Sequence, residues 1–392
     1  MAVPLQNDVP TFVAPAHERL DYVPGSIVVH FHERAVEPLD YLEREAGAHT
    51  IEPVDDDLTV VWVDEGAVSP QLLRTVESSP AVAFAERMPA RWLSAAAGSA
   101  DPRHNRQWGL RAIHWFDAQV PDASDVTVAI CDTGVDTEHP DLAGVVAKYD
   151  HEGTSATDIV GHGTHVSGIV AARSDDAAGV VGVAGCRVAM WKVFPDEPMA
   201  GNFYVDGSRF LQALNAVASS GAKALNLSLG GTQSSQAEQL LFDRLERAGV
   251  TVVAAMGNEH DHGNPVEYPA AYAHVLAVGA AAETNRRSPF SNTGAHIGIA
   301  APGSNILSTL PTAASSVRPD TGYASWSGTS MATPHVAAAA ALVAARHPDW
   351  KPADVKEQLR ARAAKVADMG GKGFTQDFGD GLLDIAALVA SD

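Results

Sequence analysis

The chain has 392 residues, 46% of them hydrophobic, which is enough for one large domain and a smaller one. Its 48 acidic residues outnumber its 27 basic ones, and a formal net charge of −21 argues against nucleic acid or anionic membranes as partners. Such a surface favours solubility, salt tolerance or cation binding, although a solvated surface without a specific role is the simplest interpretation.

Two cysteines, Cys131 and Cys186, lie in apolar runs typical of strands, which favours two small buried residues over a disulfide. The N-terminal residues lack the basic and apolar segments of a signal peptide, so we expect a cytoplasmic protein, or a secreted one if a leader was removed. The longest apolar run, residues 336–345, is shorter than the about 18 residues that a membrane span needs. We therefore expect a monomer without a membrane partner.

The first quarter of the chain predicts a small α+β domain. Residues 1–20 are Pro-rich and aperiodic, which indicates a loose arm. Within residues 21–93, strands are predicted at 26–31, 57–63 and 82–86, with helices at 36–46 and from Ser69 onwards. This β-α-β-α-β order is typical of a ferredoxin-like sandwich. Residues 94–106 are rich in small residues and predict a linker.

Residues 107–392 alternate between strands and helices, which predicts an α/β domain with a mostly parallel sheet and helices on both faces. The predicted strands are 125–131, 188–193, 224–229, 250–255 and 275–279, and the predicted helices are 166–172, 210–218 and 236–248. Asp132 directly follows the first of these strands, at the edge where α/β sheets bind ligands.

A serine lies at the predicted start of a buried helix. The sequence after Trp326 reads Ser-Gly-Thr-Ser-Met-Ala-Thr-Pro-His-Val and continues into an Ala-rich apolar segment. Proline is tolerated in a first helical turn, so we expect the helix to begin near Pro334. Ser330 would then lie where free N–H groups and the helix dipole favour a developing negative charge. The alternative is a serine that only caps a core helix.

This stretch resembles, almost letter for letter, the nucleophile motif of the subtilisin-like serine proteases, the subtilases. The stretch is not the Gly-x-Ser-x-Gly elbow of α/β-hydrolases, because Ala332 stands where that motif has its second glycine. Asp132 in Ala-Ile-Cys-Asp-Thr-Gly and His162 in Gly-His-Gly-Thr-His-Val-Ser-Gly resemble the family's aspartate and histidine motifs, and their order before the serine is the subtilase order. The resemblance implies that Ser330 is the nucleophile, His162 the general base and then acid, and Asp132 the orienting anion.

Two further polar residues, His165 and Asn258, lie in motifs that resemble those of the family. His165 follows His162 closely enough to suggest a metal pair, but the chain has no His-Glu-x-x-His motif, so a packed or supporting role is favoured. Asn258, in Ala-Met-Gly-Asn-Glu, resembles the family's oxyanion asparagine, whose amide would act beside the Ser330 N–H. Taken alone, Asn258 is also consistent with a turn after Gly257.

The resemblance also implies a substrate-binding groove. Its two backbone edges would be Gly201-Asn202-Phe203-Tyr204 and Ser228-Leu229-Gly230. Recognition of backbone favours a broad range of protein and peptide substrates. Glu267 aligns with the base of the primary pocket, where a carboxylate would favour Arg or Lys before the cut bond; the alternative is a side chain turned to solvent. Arg91, in the predicted processing region, fits a basic preference.

Residues 21–93 resemble the inhibitory propeptide of subtilases through a Val-Pro-Gly entry, the pair Gly47-Ala48 and a closing Pro-x-Val strand from Pro80. The resemblance implies an intramolecular inhibitor and an autoprocessed zymogen whose cut lies near residues 91–95. A small core suits a removable part. The alternative is an unrelated accessory domain.

Asp141 and the loop 174–180 resemble the family's calcium site. Calcium takes six to eight oxygen ligands. The implied ligands are the side chains of Asp141 and Asp176 and the carbonyls of Ser174, Ala178 and Val180. The alternative is an ordinary acidic surface loop.

These expectations combine into a serine endopeptidase made as a zymogen, with structural Ca²⁺. A catalytically silent or permanently autoinhibited peptide-binding protein of the same fold stays open, and the intact Asp132, His162, Asn258 and Ser330 count against it. A non-proteolytic serine hydrolase also stays open, and the chain order and the missing elbow count against it.

Overall fold

The structure, a computed structural model, describes residues 20–32, 41–42, 46–93, 96–97, 107–174, 179–199 and 202–390. The predicted N-terminal arm, most of the predicted helix at 36–46 and most of the predicted linker lie outside these ranges.

The N-terminal unit contains a four-stranded antiparallel sheet with the order β2-β3-β1-β4. Its elements are β1 (Tyr22–Phe31), β2 (Thr50–Pro53), β3 (Leu58–Trp62), α1 (Pro70–Glu77) and β4 (Val82–Pro89). Ser69 caps α1 by accepting a hydrogen bond from the Leu72 N–H at 3.2 Å. Strand β2 was not predicted, because a four-residue edge strand with exposed ends has too little alternation between apolar and polar residues.

The two faces of this sheet pack against different partners. Ile27, Val29 and Val61 face the unit's own core with Val76 of α1. Val28, Leu58 and Val60 instead join the core of the larger unit. Strand side chains alternate between the two faces of a sheet. One face of this sheet therefore packs on the unit's own core, and the other packs on the larger unit.

The larger unit is built on a seven-stranded parallel sheet with the order β14-β13-β12-β10-β7-β9-β8. These strands are β7 (Thr127–Asp132), β8 (Val146–Asp150), β9 (Arg187–Lys192), β10 (Ala224–Leu227), β12 (Thr251–Ala255), β13 (Val275–Ala281) and β14 (Ile297–Pro302). The predicted parallel α/β sheet is confirmed, but β8 and β14 were not predicted.

Short strands complete the fold around this sheet. They are β5 (Trp92–Leu93), β6 (Ala96–Ala97), β11 (Leu229–Gly230), β15 (Ile306–Thr309) and β16 (Tyr323–Ser327). The remaining helices are α2 (Trp108–Ala112), α3 (His162–Ala171), α4 (Gly207–Ala218), α5 (Gln236–Arg247), α6 (Thr329–Arg346), α7 (Pro352–Ala361) and α8 (Ile385–Val389).

Helices cover both faces of the parallel sheet. On β7, Val128 and Ile130 pack with residues of α3, α6 and α7, whereas Ala129 and Cys131 pack with residues of α4 and α5. The two cores therefore lie on opposite sides of one sheet, and the predicted three-layer arrangement is confirmed.

Helix α6 begins earlier than predicted, at Thr329, and every residue from 329 to 344 is buried. Pro334 therefore lies inside the helix rather than in its first turn. Because proline has no N–H, the Ser330 carbonyl four residues earlier receives no helical hydrogen bond. It accepts one from the Ser228 hydroxyl instead, at 2.8 Å.

Cys131 and Cys186 are both buried and free, as predicted. Across the described ranges, no helix combines the length and apolarity that crossing a membrane requires.

Candidate active site

Each of the three predicted catalytic residues lies at the end or the beginning of a regular element. Asp132 is the last residue of β7, His162 the first of α3 and Ser330 the second of α6. The His162 Nδ1 lies 2.8 and 3.0 Å from the two carboxylate oxygens of Asp132. All three side chains are buried, at 1% exposure or less. The carboxyl edge of a parallel sheet thus meets two helix N-termini.

The hydrogen bonds fix the state of the histidine. Since a carboxylate only accepts, the His162 Nδ1 carries a proton, and the buried Nε2 is the other ring nitrogen. Within the described residues this Nε2 has no hydrogen-bond partner. Ser330 Oγ donates to the carbonyl of Ser228, at 2.9 Å.

A buried aspartate that the sequence analysis missed supports this geometry. One carboxylate oxygen of Asp158 accepts from the Gly161 N–H and the Thr133 hydroxyl, each at 2.8 Å. The other accepts from the Thr164 N–H at 2.9 Å and the Thr164 hydroxyl at 2.6 Å. Asp158 therefore ties the start of α3 to the end of β7. The only sequence signal was an acidic residue four positions before His162.

Asn258 has its carbonyl engaged. Its Oδ1 accepts from the N–H and the hydroxyl of Thr329, at 2.9 and 3.0 Å. Because an N–H can only donate, this contact sets the orientation of the amide and leaves the Nδ2 as the donor on the other side. The Ser330 N–H, in the first turn of α6, belongs to the free N–H groups of a helix N-terminus.

His165 is packed into the protein. Its ring stacks on Trp326 with centroids 4.9 Å apart, and its Nε2 donates to the Ala324 carbonyl at 3.1 Å. Burial lowers the pKa of His165 to about 3, so the ring is neutral at ordinary pH. No cluster of three or more metal-binding side chains occurs among the residues that the structure describes. The stacking on Trp326 and the hydrogen bond to Ala324 give His165 the packed role that the sequence favoured.

The chain itself fills the groove between the two predicted edges. Leu93 and Trp92 of β5 pair antiparallel with Leu229 and Gly230 of β11. Trp92 also bridges to Tyr204 on the opposite edge. Residues 90–97, of which 90–93 and 96–97 are described, form the connecting segment. Its residues 92 and 93 pair with the edges that the sequence predicts for binding a substrate strand.

The connecting segment continues past the serine. Ala96 and Ala97 of β6 pair antiparallel with Ser327 and Trp326 of β16. Ser327 precedes Ser330 by three residues, so this second pairing lies close to Ser330 in sequence. Ser94 and Ala95, outside the described residues, are the only two residues between the paired positions.

Other predicted groove residues take different positions. Gly201 lies outside the described residues, and the backbone of Asn202 pairs with Met199. The Val205 N–H, just beyond the predicted edge, donates to the Arg91 carbonyl at 2.9 Å.

Glu267 points into the protein. Its side chain is fully buried, and its Oε1 accepts from the Asn292 amide at 3.0 Å. A side chain at Gly230 or Gly257 would collide with the Glu267 carboxylate, so this carboxylate lies between the two glycines. The alternative of a solvent-facing Glu267 is therefore wrong.

Arg91 gives no support to a basic preference at Glu267. Its guanidinium is buried and donates to the Glu238 carboxylate at 2.7 Å. The sequence did not predict the pairing of Arg91 with Glu238, because Glu238 is 147 positions away and no local pattern indicates the pair.

The predicted calcium ligands are only partly described. Asp141 is fully buried, and its two carboxylate oxygens accept from the Val180 N–H at 2.8 Å and the Tyr323 hydroxyl at 3.0 Å. Ser174 lies in the described part of the loop, whereas Asp176 and Ala178 lie outside it. The described ligands supply one carboxylate, so calcium stays a prediction.

Comparison with known proteins agrees with this geometry. The sequence profile of the subtilase family matches residues 123–381. The chain is 36% identical over 268 residues to a subtilisin of Bacillus pumilus, which covers 67% of this chain and 90% of that protein. It is also 36% identical over 268 residues to subtilisin E of Bacillus subtilis (strain 168), of which it covers 65%.

A solved structure is similar over almost the whole chain. The crystal structure of fervidolysin from Fervidobacterium pennivorans, a keratinolytic enzyme related to subtilisin, matches with a TM-score of 0.79 at 26% identity. The match covers 95% of this chain and 62% of fervidolysin. The chain thus spans less than two thirds of the length of both fervidolysin and subtilisin E.

The chain therefore belongs to the subtilase family. Its fold and site define the class of subtilisin-like serine endopeptidases, which are hydrolases that act on peptide bonds. The sequence-based predictions of family, fold class and enzyme class are confirmed.

Proposed function

We propose that this chain is a self-processing zymogen that cleaves peptide bonds in proteins through an acyl-enzyme. The observation that carries the proposal is the connecting segment, which pairs with backbone on both sides of Ser330. An extended chain held in this way presents its peptide bond to the nucleophile, as a substrate would.

The proposed reaction uses the residues described above. Ser330 Oγ attacks the carbonyl carbon while its proton passes to the Nε2 of His162, and Asp132 stabilises the resulting imidazolium. The Ser330 N–H and the Asn258 amide donate to the oxyanion. His162 then gives its proton to the leaving amine, and water repeats the sequence to release the acid.

The register of the two strand pairs predicts the cut bond. The described β5–β11 pairing stops at Leu93, opposite Leu229, and the neighbouring Ser228 carbonyl accepts from the Ser330 hydroxyl. The described β6–β16 pairing begins at Ala96, opposite Ser327, so residues 94 and 95 join the two pairings in sequence. We therefore propose cleavage between Ser94 and Ala95, within the range predicted from sequence.

The proposed domain roles follow this cut. Residues 21–93 would act as the inhibitory propeptide, 94–106 as the linker and 107–392 as the enzyme. A contact between units supports this division: the Glu86 carboxylate accepts from the N–H groups of Gln236 and Ala237, at 2.8 and 3.0 Å. A carboxylate at the N-terminus of α5 stabilises the docked propeptide.

Intact mass tests the proposal. The wild-type chain and its Ser330→Ala variant are incubated with calcium and measured over time. We expect the wild type to lose residues 1–94 and the variant to stay whole. If neither is processed and a fluorophosphonate probe does not label Ser330, the chain is the catalytically silent alternative. If the enzyme cleaves esters but not casein, it is the non-proteolytic hydrolase.

For separate protein substrates we also propose a preference for Arg or Lys directly before the cut bond, supported by the buried Glu267 carboxylate beside Gly230 and Gly257. The processing bond after Ser94 would depend on the strand pairs of the connecting segment instead. A desolvated carboxylate favours a cationic partner. Peptide profiling with Glu267→Gln as the comparison tests the idea. Equal cleavage after basic and large apolar residues by the wild type would contradict it.

Structural calcium at Asp141 and the loop 174–180 is a further proposal, supported by the burial of the Asp141 carboxylate beside Val180. A bound cation stabilises the folded state by mass action. We expect chelator to lower the melting temperature and Asp141→Asn to reduce that effect. A melting temperature that chelator leaves unchanged would argue against the site.

A further inference from the structure

A buried carboxylate binds the arginine of the connecting segment. The Arg91 Nη2 donates to the Glu238 Oε2 at 2.7 Å and contacts the Tyr272 hydroxyl at 3.4 Å. The Arg91 Nη1 donates to the Ala90 carbonyl at 3.1 Å. The side chains of Arg91 and Glu238 are 1% and 2% exposed. The guanidinium therefore fills an enclosed pocket rather than a surface.

The walls of this pocket belong to the larger unit. Glu238 lies in the first turn of α5, and the Tyr272 ring packs against Tyr268 with centroids 4.7 Å apart. A side chain at Gly231 would lie 3.1 Å from the Arg91 Nη1 and would collide with the Ala90 carbonyl. The missing side chain thus lets the segment approach.

An empty pocket of this kind favours a cation. Burial raises the pKa of the Glu238 carboxyl, while the charge of Arg91 opposes that rise. A carboxylate without a partner in such surroundings is costly, and a guanidinium matches it in charge and geometry.

We propose that Glu238, Tyr272 and Gly231 form a specificity pocket that selects arginine at the fourth residue before the cut bond. The inference rests on the proposed function, because Arg91 holds that position if cleavage falls between Ser94 and Ala95. Glu238 is then a specificity residue separate from Glu267.

Internally quenched peptides based on Arg-Trp-Leu-Ser-Ala-Ala test this with the processed wild-type enzyme. The arginine is replaced by citrulline, its uncharged isostere, and by norleucine. We expect kcat/KM to fall at least about tenfold for both replacements. Glu238→Gln should bring the arginine-to-citrulline ratio to within about threefold, while Asp243→Asn, which removes a carboxylate from the same helix, should leave the ratio unchanged.

A wild-type enzyme that cleaves citrulline or norleucine peptides as well as the arginine peptide would overturn the inference while leaving the proposed protease intact. If instead no peptide or casein is cleaved, the proposed function fails, and a second measurement decides about the pocket. In the whole Ser330→Ala chain, Arg91→Met and Glu238→Gln should each speed amide exchange at Leu93 and Gly230. The double variant should be no faster than either single one, and additive effects would overturn the inference.

Discussion

The carbonyl of Ser330 depends on a side chain from another element, because Pro334 withholds the helical N–H. Ser228→Ala removes that donor and leaves a buried carbonyl unpaired. Such a loss costs about 1–3 kcal/mol. In a domain of this size we expect the melting temperature to fall by about 2 °C per kcal/mol, or about 2–6 °C in all.

The sharper test is a double-mutant cycle with Pro334→Ala, which supplies an N–H at position 334. In that background the Ser330 carbonyl regains a helical partner, so Ser228→Ala should cost less than about 1 kcal/mol. The contact that the Ser228 hydroxyl accepts from the Asn226 amide, at 3.0 Å, is lost in both backgrounds and cancels in the cycle.

Calorimetry on uncleaved Ser330→Ala chains measures these melting temperatures, since alanine at position 330 keeps the carbonyl. Ser308→Ala is a matched control, because this buried hydroxyl donates to the His165 carbonyl at 2.7 Å, away from Pro334. Ser308→Ala should lower the melting temperature by the same amount with proline or alanine at position 334. If Ser228→Ala costs as much in the Pro334→Ala background as it does with the proline in place, the reasoning is refuted.

Three further results are expected. Asn258→Ala should lower kcat by about 10²–10³, the range known for this donor in subtilisin, with little change in KM and with labelling of Ser330 by a fluorophosphonate retained. Burial lowers the pKa of His165 to about 3 and of His335 to about 4. Between about pH 6.5 and 4 the unfolded chain therefore binds protons that the folded chain does not, so the free energy of unfolding decreases as the pH is lowered. A glutamine at either position should reduce that slope by up to about 1.4 kcal/mol per pH unit in urea titrations. Burial also raises the pKa of Cys186 to about 12 and that of Cys131 still further, so a thiol reagent should label neither cysteine in the native chain and both after unfolding.

The sequence located the candidate catalytic residues because each stands beside a strong local signal. Asp132 ends an apolar strand, and Ser330 lies in the first turn of a long apolar helix. The predicted start of that helix is too late because a proline is expected in a first turn, whereas Pro334 lies further inside. The supporting role of Asp158 and the pairing of Arg91 with Glu238 could not be predicted from the sequence. Their roles arise from contacts that fold topology creates, and single charged residues in loops or in a helix carry no pattern.

The connecting segment is held unequally on its two sides. Before Ser94, two paired residues, a bridge to Tyr204 and a buried ion pair hold it; after Ala95, the described contacts are one short strand pair. Hydrolysis at that bond would free the weakly held half at once and leave the other half in the groove as a bound product. Cutting and activation would then be separate events, and the delay between them would follow the departure of the propeptide rather than the chemistry of the serine.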